Sequence, residues 1–217
     1  MSSVIDHAFL MDRVYRRQRH FYDATRKYYL LGRDPMLNGL GVPKDGSVLE
    51  IGCGTGRNLV KAARLYARAQ VFGIDISSEM LRSAGRSIAD AGLHGRVRLA
   101  YADAASFDAQ KTFGRSTFDR IFISYSLSMI PQWRDVMRAA IGLLAPGGEL
   151  HIVDFGDQRG MPRWFRRALS RWLAVFHVTP RHDLFQMSSV IAAETGRRAD
   201  FRRLYRGFAW IAVIRSR

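Results

Sequence analysis

The chain has one cysteine among its 217 residues, and only 19 acidic residues against 34 lysines and arginines. A single cysteine, Cys53, excludes a disulfide within the chain. Long apolar runs are also missing, since none approaches the roughly 20 residues that a membrane-spanning helix needs. The first 12 residues contain two aspartates where a signal peptide would have a basic segment and an apolar core. We therefore expect a cytoplasmic protein.

No cluster of cysteines and histidines has the spacing of metal ligands, so no metal site is expected. The sequence also has no repeats, no low-complexity tract and no obvious linker. Its length suits one α/β domain, and its 47% of hydrophobic residues can cover a central sheet on both faces.

The scarcity of acids leaves a formal net charge of +15 and a pI near 10.9. A surface of this charge attracts polyanions, which are either nucleic acid or the anionic face of a membrane. Composition alone does not distinguish between nucleic acid and a membrane as the partner.

The run VLEIGCGTG at residues 48–56 is the strongest local signal. Its first four residues predict a strand, and Gly52, Gly54 and Gly56 follow at every second position before a helix-like stretch. Glycine in such a turn lets the backbone bend sharply and come close to a ligand. The spacing disfavours a dinucleotide site, which would have G-x-G-x-x-G. The alternative is a tight turn that needs glycine for structural reasons alone.

Two further strand patterns end near an acid. Residues 70–75 end in Asp75, about 20 residues after the glycines, and residues 97–101 lead into Asp103. A carboxylate at the first of these places can accept both hydrogen bonds of a ribose diol. Each acid alone is more often a solvated turn residue. Three successive predicted strands that each end at glycines or near an acid are, however, unlikely to arise by chance.

The rest of the chain continues to alternate strands and helices. The predicted elements are a strand at 118–124, a helix at 133–144, a strand at 149–154, and two adjacent strands at 199–205 and 207–214.

Glu50 before the glycines, the two acids, and the L-x-P-G-G-x-L turn at 144–150 resemble class I S-adenosylmethionine-dependent methyltransferases. The resemblance covers roughly residues 45–215. It implies an α/β fold with a Rossmann-like seven-stranded sheet and an antiparallel C-terminal edge hairpin. It also implies S-adenosyl-L-methionine as the methyl donor and S-adenosyl-L-homocysteine as the product.

The resemblance places Asp75 on the ribose hydroxyls and Asp103 opposite the adenine amino group. Cys53, within the loop, is expected to be a small packed residue rather than a nucleophile. The full set of cofactor-binding residues that it implies is Tyr22, Arg33, Glu50, Gly52, Cys53, Gly54, Gly56, Asp75, Ile76, Met80, Asp103, Ala104 and Ser124.

An aromatic and basic segment precedes the first strand. Tyr15 and Tyr22 are seven residues apart with Asp23 beside the second, a spacing similar to the lid of bacterial phospholipid and quinone-type methyltransferases. The string YRRQRHFYDATRKYYLLGRD at 15–34 resembles, more narrowly, the start of the BtaB family. Members of that family N-methylate diacylglyceryl-homoserine to a betaine lipid, and SYSLSMIPQW at 124–133 adds to the resemblance.

N-methylation builds positive charge on nitrogen, which aromatic faces stabilise by about 0.5–2 kcal/mol each. The candidate aromatic residues are Tyr15, Tyr22, Tyr28, Tyr29 and Tyr125. Of these, Tyr15, Tyr22 and Tyr125 are the predicted catalytic residues. We expect them to position the amine, because a phenol with a pKa near 10 is a poor base. Arg33 would pair with a carboxylate of the cofactor or of a homoserine headgroup, or would be a solvated arginine of a basic segment.

Residues 160–178 have apolar residues at three- and four-residue intervals, with Arg163, Arg166, Arg167 and Arg171 between them. The apolar residues are Met161, Trp164, Phe165, Ala168, Leu169, Trp172, Leu173 and Phe176. This pattern predicts a basic amphipathic helix after the fifth strand, suited to the headgroup boundary of an anionic membrane. The alternative is an ordinary lid helix that packs on the core and has solvated arginines. One helix can do both.

The sequence thus predicts one domain, with a helical lid at 1–44, a cofactor-binding half at 45–155, and the basic helix plus edge hairpin at 156–217. The leading hypothesis is a peripheral enzyme at the inner face of the membrane that methylates diacylglyceryl-homoserine up to three times. Phosphatidylethanolamine is the competing lipid. An RNA or DNA methyltransferase and a noncatalytic cofactor-binding protein are the alternatives from other classes. No nucleic-acid partner is expected, because residues 124–127 lack the amide-plus-aromatic motif that holds a flipped base.

Overall fold

The computed structural model describes residues 30–176 and 178–216. Within them, helices cover both faces of a seven-stranded sheet. The helices are α1 (Arg33–Asn38), α2 (Arg57–Leu65), α3 (Ser78–Asp90), α4 (Ala109–Phe113), α5 (Trp133–Gly142), α6 (Arg163–Val175) and α7 (Leu184–Glu194). The strands are β1 (Ser47–Ile51), β2 (Gln70–Asp75), β3 (Val97–Tyr101), β4 (Phe118–Ser124), β5 (Leu144–Phe155), β6 (Arg197–Leu204) and β7 (Ala209–Ser216).

The strand order is β3-β2-β1-β4-β5-β7-β6. Strands β1 to β5 run parallel, and β7 lies antiparallel to both β5 and β6. The chain order reverses between β1 and β4, so the loops after these two strands meet at one edge of the sheet, where ligands of open α/β folds bind. The predicted fold, including the antiparallel edge hairpin, is confirmed.

The side chains of the central strands alternate between two apolar layers. On β4, Ile121 and Ile123 face the layer that α4, α5 and α7 cover, whereas Phe122 faces the layer formed with α1, α2 and α6. A third cluster joins α2 and α3 to the outer strands β2 and β3. Because both faces are covered, the central strands are apolar almost throughout, as their sequences indicated.

Several elements differ from the sequence prediction, and in α5, β6 and β7 the difference is two residues or fewer at each end. Strand β5 begins at Leu144, because this residue pairs with Phe118 before the register shifts and Arg120 pairs with Glu149. The Pro-Gly-Gly turn therefore lies within the strand as an irregularity. Helix α6 is shorter than the predicted 160–178, and α7 was not predicted, although its buried residues Leu184, Ser188, Ile191 and Ala192 have helical spacing.

Candidate cofactor and substrate site

The glycine loop after β1 has the geometry that its sequence predicted. Gly52, Gly54 and Gly56 all have left-handed backbone angles, with φ of 73°, 54° and 78°. Gly56 is also the N-cap of α2. Side chains other than glycine are strained in this region of φ, so the loop can take this path because glycine recurs at every second position.

Close packing adds a second requirement for glycine. A Cβ added at Gly52 would overlap the hydroxyl oxygen of Ser126 and lie 2.7 Å from its Cβ, while one added at Gly56 would lie 3.0 Å from the Cβ of Ala84. The Ser126 hydroxyl donates to the carbonyl oxygen of Gly52 at 3.1 Å. The loop after β1 is therefore in direct contact with the loop after β4, as the sheet order requires.

Asp75, at the carboxyl end of β2, orients the glycine loop. One carboxylate oxygen accepts the backbone N–H of Gly54 at 2.7 Å, and the other accepts the N–H of Ser77 at 2.9 Å. These two hydrogen bonds orient the Asp75 carboxylate against the glycine loop and the start of α3. The side chain is partly exposed, beside the loop.

Glu50 and Asn58 form a buried polar pair beneath the loop. The Asn58 amide donates to a carboxylate oxygen of Glu50 at 2.8 Å, and both residues are buried. This contact ties the end of β1 to the first turn of α2. Sequence analysis did not single out Asn58, because no local pattern links two residues eight positions apart on a strand and a helix.

Four more of the residues predicted beside the cofactor follow β2 and β3, and three of them are partly exposed while one is buried. Asp103 and Ala104 are partly exposed after β3, and the Asp103 carboxylate accepts the N–H of Ala105 at 3.0 Å. Ile76 is partly exposed after Asp75. Met80 is buried in the first turn of α3, in a cluster with Phe176 that also contacts Met129, Trp172 and Val178.

Two polar residues at the end of β4 lie inside the protein. Ser124 is buried, and Tyr125 is only 2% exposed in a left-handed conformation with φ of 56°. The Tyr125 ring packs edge-on against Phe155 at 4.7 Å, and its hydroxyl donates to the carbonyl oxygen of Leu31. Tyr125 thus connects β4 with the segment before α1. Its role in orienting a substrate amine stays a prediction.

Arg33 is the first residue of α1 and is also buried. Its Nε donates to the carbonyl oxygen of Leu30 at 3.0 Å. The solvated arginine considered above is therefore wrong, while its pairing with a ligand carboxylate stays a prediction. Tyr15, Tyr22, Tyr28 and Tyr29, with most of the predicted lid, lie outside the described residues.

Cys53 has the environment of a packed residue. Its thiol is buried, and burial together with the nearby carboxylates of Asp75 and Glu50 holds its pKa well above the ordinary value. Because the thiolate is the nucleophilic form, this environment suits the packing role that the sequence indicated.

Asp154, at the carboxyl end of β5, is a site residue that sequence analysis missed. Its buried carboxylate accepts the N–H groups of Ser128 at 3.0 Å and Phe155 at 2.7 Å. Burial raises its pKa to about 6, although these hydrogen bonds and the charge of Arg181 act in the opposite direction. The signal was available, because Asp154 ends a strand as Asp75 does.

Arg181 holds the other side of the loop after β4. Its guanidinium donates to the carbonyl oxygens of Leu127 and Ile130 at 3.0 and 2.8 Å. Asp154 and Arg181 therefore fix residues 127–130 from two directions. This loop contacts the glycine loop through Ser126, so its position sets the shape of the edge between them.

These residues fit an S-adenosyl group. The glycine loop offers a surface without side chains, and Asp75 places an acceptor carboxylate next to it, as a ribose diol needs. No group of three or more His, Cys, Asp or Glu side chains could hold a metal ion in residues 30–176 and 178–216. Within the same two ranges, the helices lack the combination of length and apolar character that crossing a membrane requires.

Comparison with known proteins finds one family that matches the central part of the chain. Residues 48–148 match the family described as "Methyltransferase domain". The match covers 101 of the 217 residues. The matched stretch runs from β1 into β5 and contains the glycine loop, Asp75 and Asp103.

Curated relatives include methyltransferases of two kinds. The chain is 34% identical over 131 residues to a phosphatidylethanolamine N-methyltransferase from Cereibacter sphaeroides, which covers 59% of this chain and 61% of the relative. It is 28% identical over 139 residues to a demethylmenaquinone methyltransferase from Listeria monocytogenes, covering 64% of this chain and 56% of the relative. The chain thus spans a little over half of the length of these relatives.

A solved structure shares the fold of this chain. Phosphoethanolamine N-methyltransferase 2 from Haemonchus contortus, in complex with S-adenosyl-L-methionine, superposes with a TM-score of 0.64 at 23% identity, covering 79% of this chain and 38% of that one. This superposition shows that the two proteins share a fold.

Proposed function

We propose that the protein is an N-methyltransferase that docks on the anionic inner face of a membrane and methylates the amine of a lipid headgroup. The observation that carries this proposal is the two-sided environment of α6. One side of the helix packs on the core through Leu169 and Leu173. The other side presents exposed apolar and basic residues together, which a helix that only covers the core has no need to do.

The exposed side of α6 has the composition of an interfacial helix. Trp164 is 71% exposed and Val175 is 63% exposed, and at helical spacing the two lie on one stripe with Ala168. Arg167 and Arg171 flank this stripe, and both are exposed. An exposed tryptophan beside arginines suits the boundary between headgroups and acyl chains, where an indole ring partitions and guanidinium groups meet lipid phosphates.

The inner side of the same helix reaches the site. Trp172 and the C-cap residue Phe176 pack with Met80, in the first turn of α3, and with Met129 of the loop after β4. A membrane-bound α6 would therefore hold the edge of the sheet close to the lipid headgroups. These four apolar side chains would also keep water from the reacting atoms, which strengthens charge interactions there.

Methyl transfer to an amine depends more on how the two reactants are positioned than on an acid or base group of the protein. When bound, S-adenosylmethionine supplies an electrophilic methyl group. The glycine loop and Asp75 would hold its nucleoside, while the loop fixed by Asp154 and Arg181 would hold the neutral amine in line with the methyl carbon. Orientation of this kind can lower a barrier by about 7–11 kcal/mol without a covalent intermediate. After each of the first two transfers the ammonium product releases one proton to solvent, whereas the third transfer gives a quaternary ammonium that has no N–H.

Diacylglyceryl-homoserine is the leading substrate, supported by the resemblance of residues 15–34 and 124–133 to the BtaB family. Phosphatidylethanolamine is the alternative, favoured by the similarity to the Cereibacter sphaeroides enzyme. Both carry an amine on a headgroup beside an anionic group, so the docking helix serves either. The homoserine carboxylate distinguishes the first substrate, and Arg33 is the proposed partner for it.

Vesicle flotation tests the docking helix. We expect binding to phosphatidylcholine vesicles that contain phosphatidylglycerol, weakened by salt and reduced about tenfold or more by Trp164→Glu or Arg171→Glu. Arg64→Glu is the matched control, because Arg64 is an exposed arginine on α2 and makes the same charge change. If both α6 variants float as well as this control, α6 is not the docking element.

Methyl transfer from labelled S-adenosylmethionine tests the substrate. The protein is incubated separately with vesicles containing diacylglyceryl-homoserine, with vesicles containing phosphatidylethanolamine, and with tRNA. We expect label in the first lipid, as mono-, di- and trimethylated products on thin-layer chromatography. Label in phosphatidylethanolamine alone would select the alternative lipid, and label in tRNA alone would reject lipid methylation.

A further inference from the structure

Two segments of the chain contain no acidic residue. Residues 158–182 include six arginines, and residues 201–217 include five. The structure brings them together at the turn between β6 and β7, which we call the 205–207 turn (Tyr205–Gly207). The N–H of Gly160 donates to the carbonyl oxygen of Arg206 at 3.1 Å, and the N–H of Gln158 donates to that of Gly207 at 2.9 Å.

This contact is tight enough to fix the turn against the start of α6. A Cβ added at Gly156 would overlap the carbonyl oxygen of Gly207, and one at Gly160 would lie 2.8 Å from the Cβ of Arg206. Just after the turn, Phe208 packs with Phe165 of α6, with ring centroids 6.3 Å apart. The 205–207 turn and the first turn of α6 therefore form one rigid corner.

The turn holds two bulky residues in a strained backbone. Tyr205 and Arg206 have φ of 52° and 57°, a left-handed conformation that glycine and asparagine adopt more easily. Both side chains point to solvent, and Tyr205 is 49% exposed. Strain of this type costs of order 1 kcal/mol or more per residue and is common at functional sites.

Three arginines at this corner have no carboxylate partner in the described part of the chain, whereas Asp157, beside Gly207, pairs with Arg159 at 3.4 Å. Among residues 30–176 and 178–216, no carboxylate lies within 4.0 Å of the guanidinium of Arg206, Arg202 or Arg163. On the same hairpin, by contrast, Arg215 pairs with Asp200 at 2.8 Å. The corner is thus positive and aromatic and adjoins the exposed stripe of α6.

We propose that the 205–207 turn is a second docking element for the anionic lipid surface that α6 binds; this inference rests on the membrane docking proposed above. The occupant is an anionic bilayer because the corner combines an exposed phenol ring with unpaired guanidinium groups, and because it continues the surface of α6. Two separate contacts orient the protein on the bilayer, whereas one helix leaves it free to roll about the helix axis.

The first test replaces both strained residues by asparagine. In Tyr205→Asn/Arg206→Asn the ring and one charge are lost, but asparagine tolerates the left-handed backbone, so the unfolding temperature should stay the same or rise. We expect affinity for vesicles with phosphatidylglycerol to fall about fivefold or more. Arg198→Asn removes one exposed charge at the other end of β6 and is the matched control.

The outcomes separate this inference from the function on which it rests. If the double variant floats like Arg198→Asn while Trp164→Glu fails to float, the turn is not a docking element and the role of α6 stands. If neither the double variant nor Trp164→Glu weakens binding, both proposals fail. A loss confined to tRNA binding, or one equally large on vesicles without phosphatidylglycerol, would also overturn the inference.

Contact of the turn with lipid can be measured directly with a fluorophore attached to the turn. Arg206→Cys can be labelled with an environment-sensitive fluorophore, since the native Cys53 is buried and its raised pKa keeps it unreactive. Vesicles with phosphatidylglycerol should shift the emission to the blue at position 206 and not in labelled Arg198→Cys. Equal shifts at both positions, or none at 206, would contradict a specific contact of the turn with lipid.

Discussion

The carboxylate of Asp75 accepts the backbone N–H of Gly54 at 2.7 Å, so the end of β2 holds the glycine loop that follows β1. The second oxygen holds the N–H of Ser77 at the start of α3. One side chain therefore ties together the three elements that surround the proposed nucleoside position. Loop geometry and ligand binding are coupled through this residue.

Asp75→Asn should weaken binding of S-adenosylhomocysteine by at least about tenfold, measured by isothermal titration calorimetry. The amide would turn an N–H group toward one backbone N–H, which should also lower the free energy of unfolding by about 1–3 kcal/mol. Asp90→Asn, at the exposed C-terminal end of α3, is the control. Unchanged affinity in Asp75→Asn would reject the assignment of Asp75 to the nucleoside.

Gly52→Ala should destabilise the protein by about 1–3 kcal/mol in urea unfolding. The added Cβ meets Ser126, and alanine is strained at a φ of 73°. Gly85→Ala is the matched control, because Gly85 lies within α3 with no atom near its absent Cβ, and alanine there should be neutral or stabilising. Adding Ser126→Gly to Gly52→Ala should recover part of the lost free energy of unfolding. If none is recovered, the loss comes from backbone strain at position 52 rather than from contact with Ser126.

Stability should fall as pH rises from about 4 to about 6, owing to Asp154. Burial raises its folded pKa from 3.8 to about 6, so between these values the folded state binds more protons than the unfolded state. The free energy of unfolding then decreases with pH, by about 3 kcal/mol in total from this group. Asp34 and Glu149, whose pKa values are lowered, oppose this trend at more acid pH.

Comparison of urea unfolding curves for the native chain and Asp154→Asn isolates the effect of Asp154. Their difference in unfolding free energy should change between pH 4 and pH 6 and be constant above about pH 7. A difference that does not vary with pH would mean that Asp154 ionises in the folded protein as it does in the unfolded chain.

Tyr125→Phe distinguishes two roles for the buried tyrosine. The variant keeps the ring contact with Phe155 but loses the hydrogen bond to Leu31, so stability should fall by about 1 kcal/mol. If the hydroxyl only anchors the segment before α1, kcat should fall less than about tenfold. A loss of about a hundredfold or more in kcat, with unchanged cofactor affinity, would place the hydroxyl at the reacting atoms.

Most of the sheet could be predicted from local pattern. Strands β2, β3 and β4 have the predicted bounds, because each is a short apolar run that ends at a polar residue or turn. The glycine loop and Asp75 were predicted for the same reason. The start of β5 was not, since a strand that continues through Pro146 and two glycines depends on its pairing with Phe118.

Helix α6 shows where helical periodicity is insufficient. Its spacing placed Trp164 on the apolar face with Leu169, yet Trp164 is exposed and Leu169 is buried. The period of a helix defines its faces, but which part of a broad apolar face meets the core depends on how the helix is rotated against the sheet. That rotation produces the exposed stripe on which the docking proposal depends.

The sequence by itself determined the order of strands along the chain, the left-handed glycine loop and the excess of positive charge, because these depend on residues close together in the chain. The tertiary structure alone decided that Tyr125 is buried against Leu31, that Asp154 holds Ser128, and that two acid-free segments meet at the 205–207 turn. Such contacts join residues that are distant in sequence, and they exist only once the helices and strands have packed.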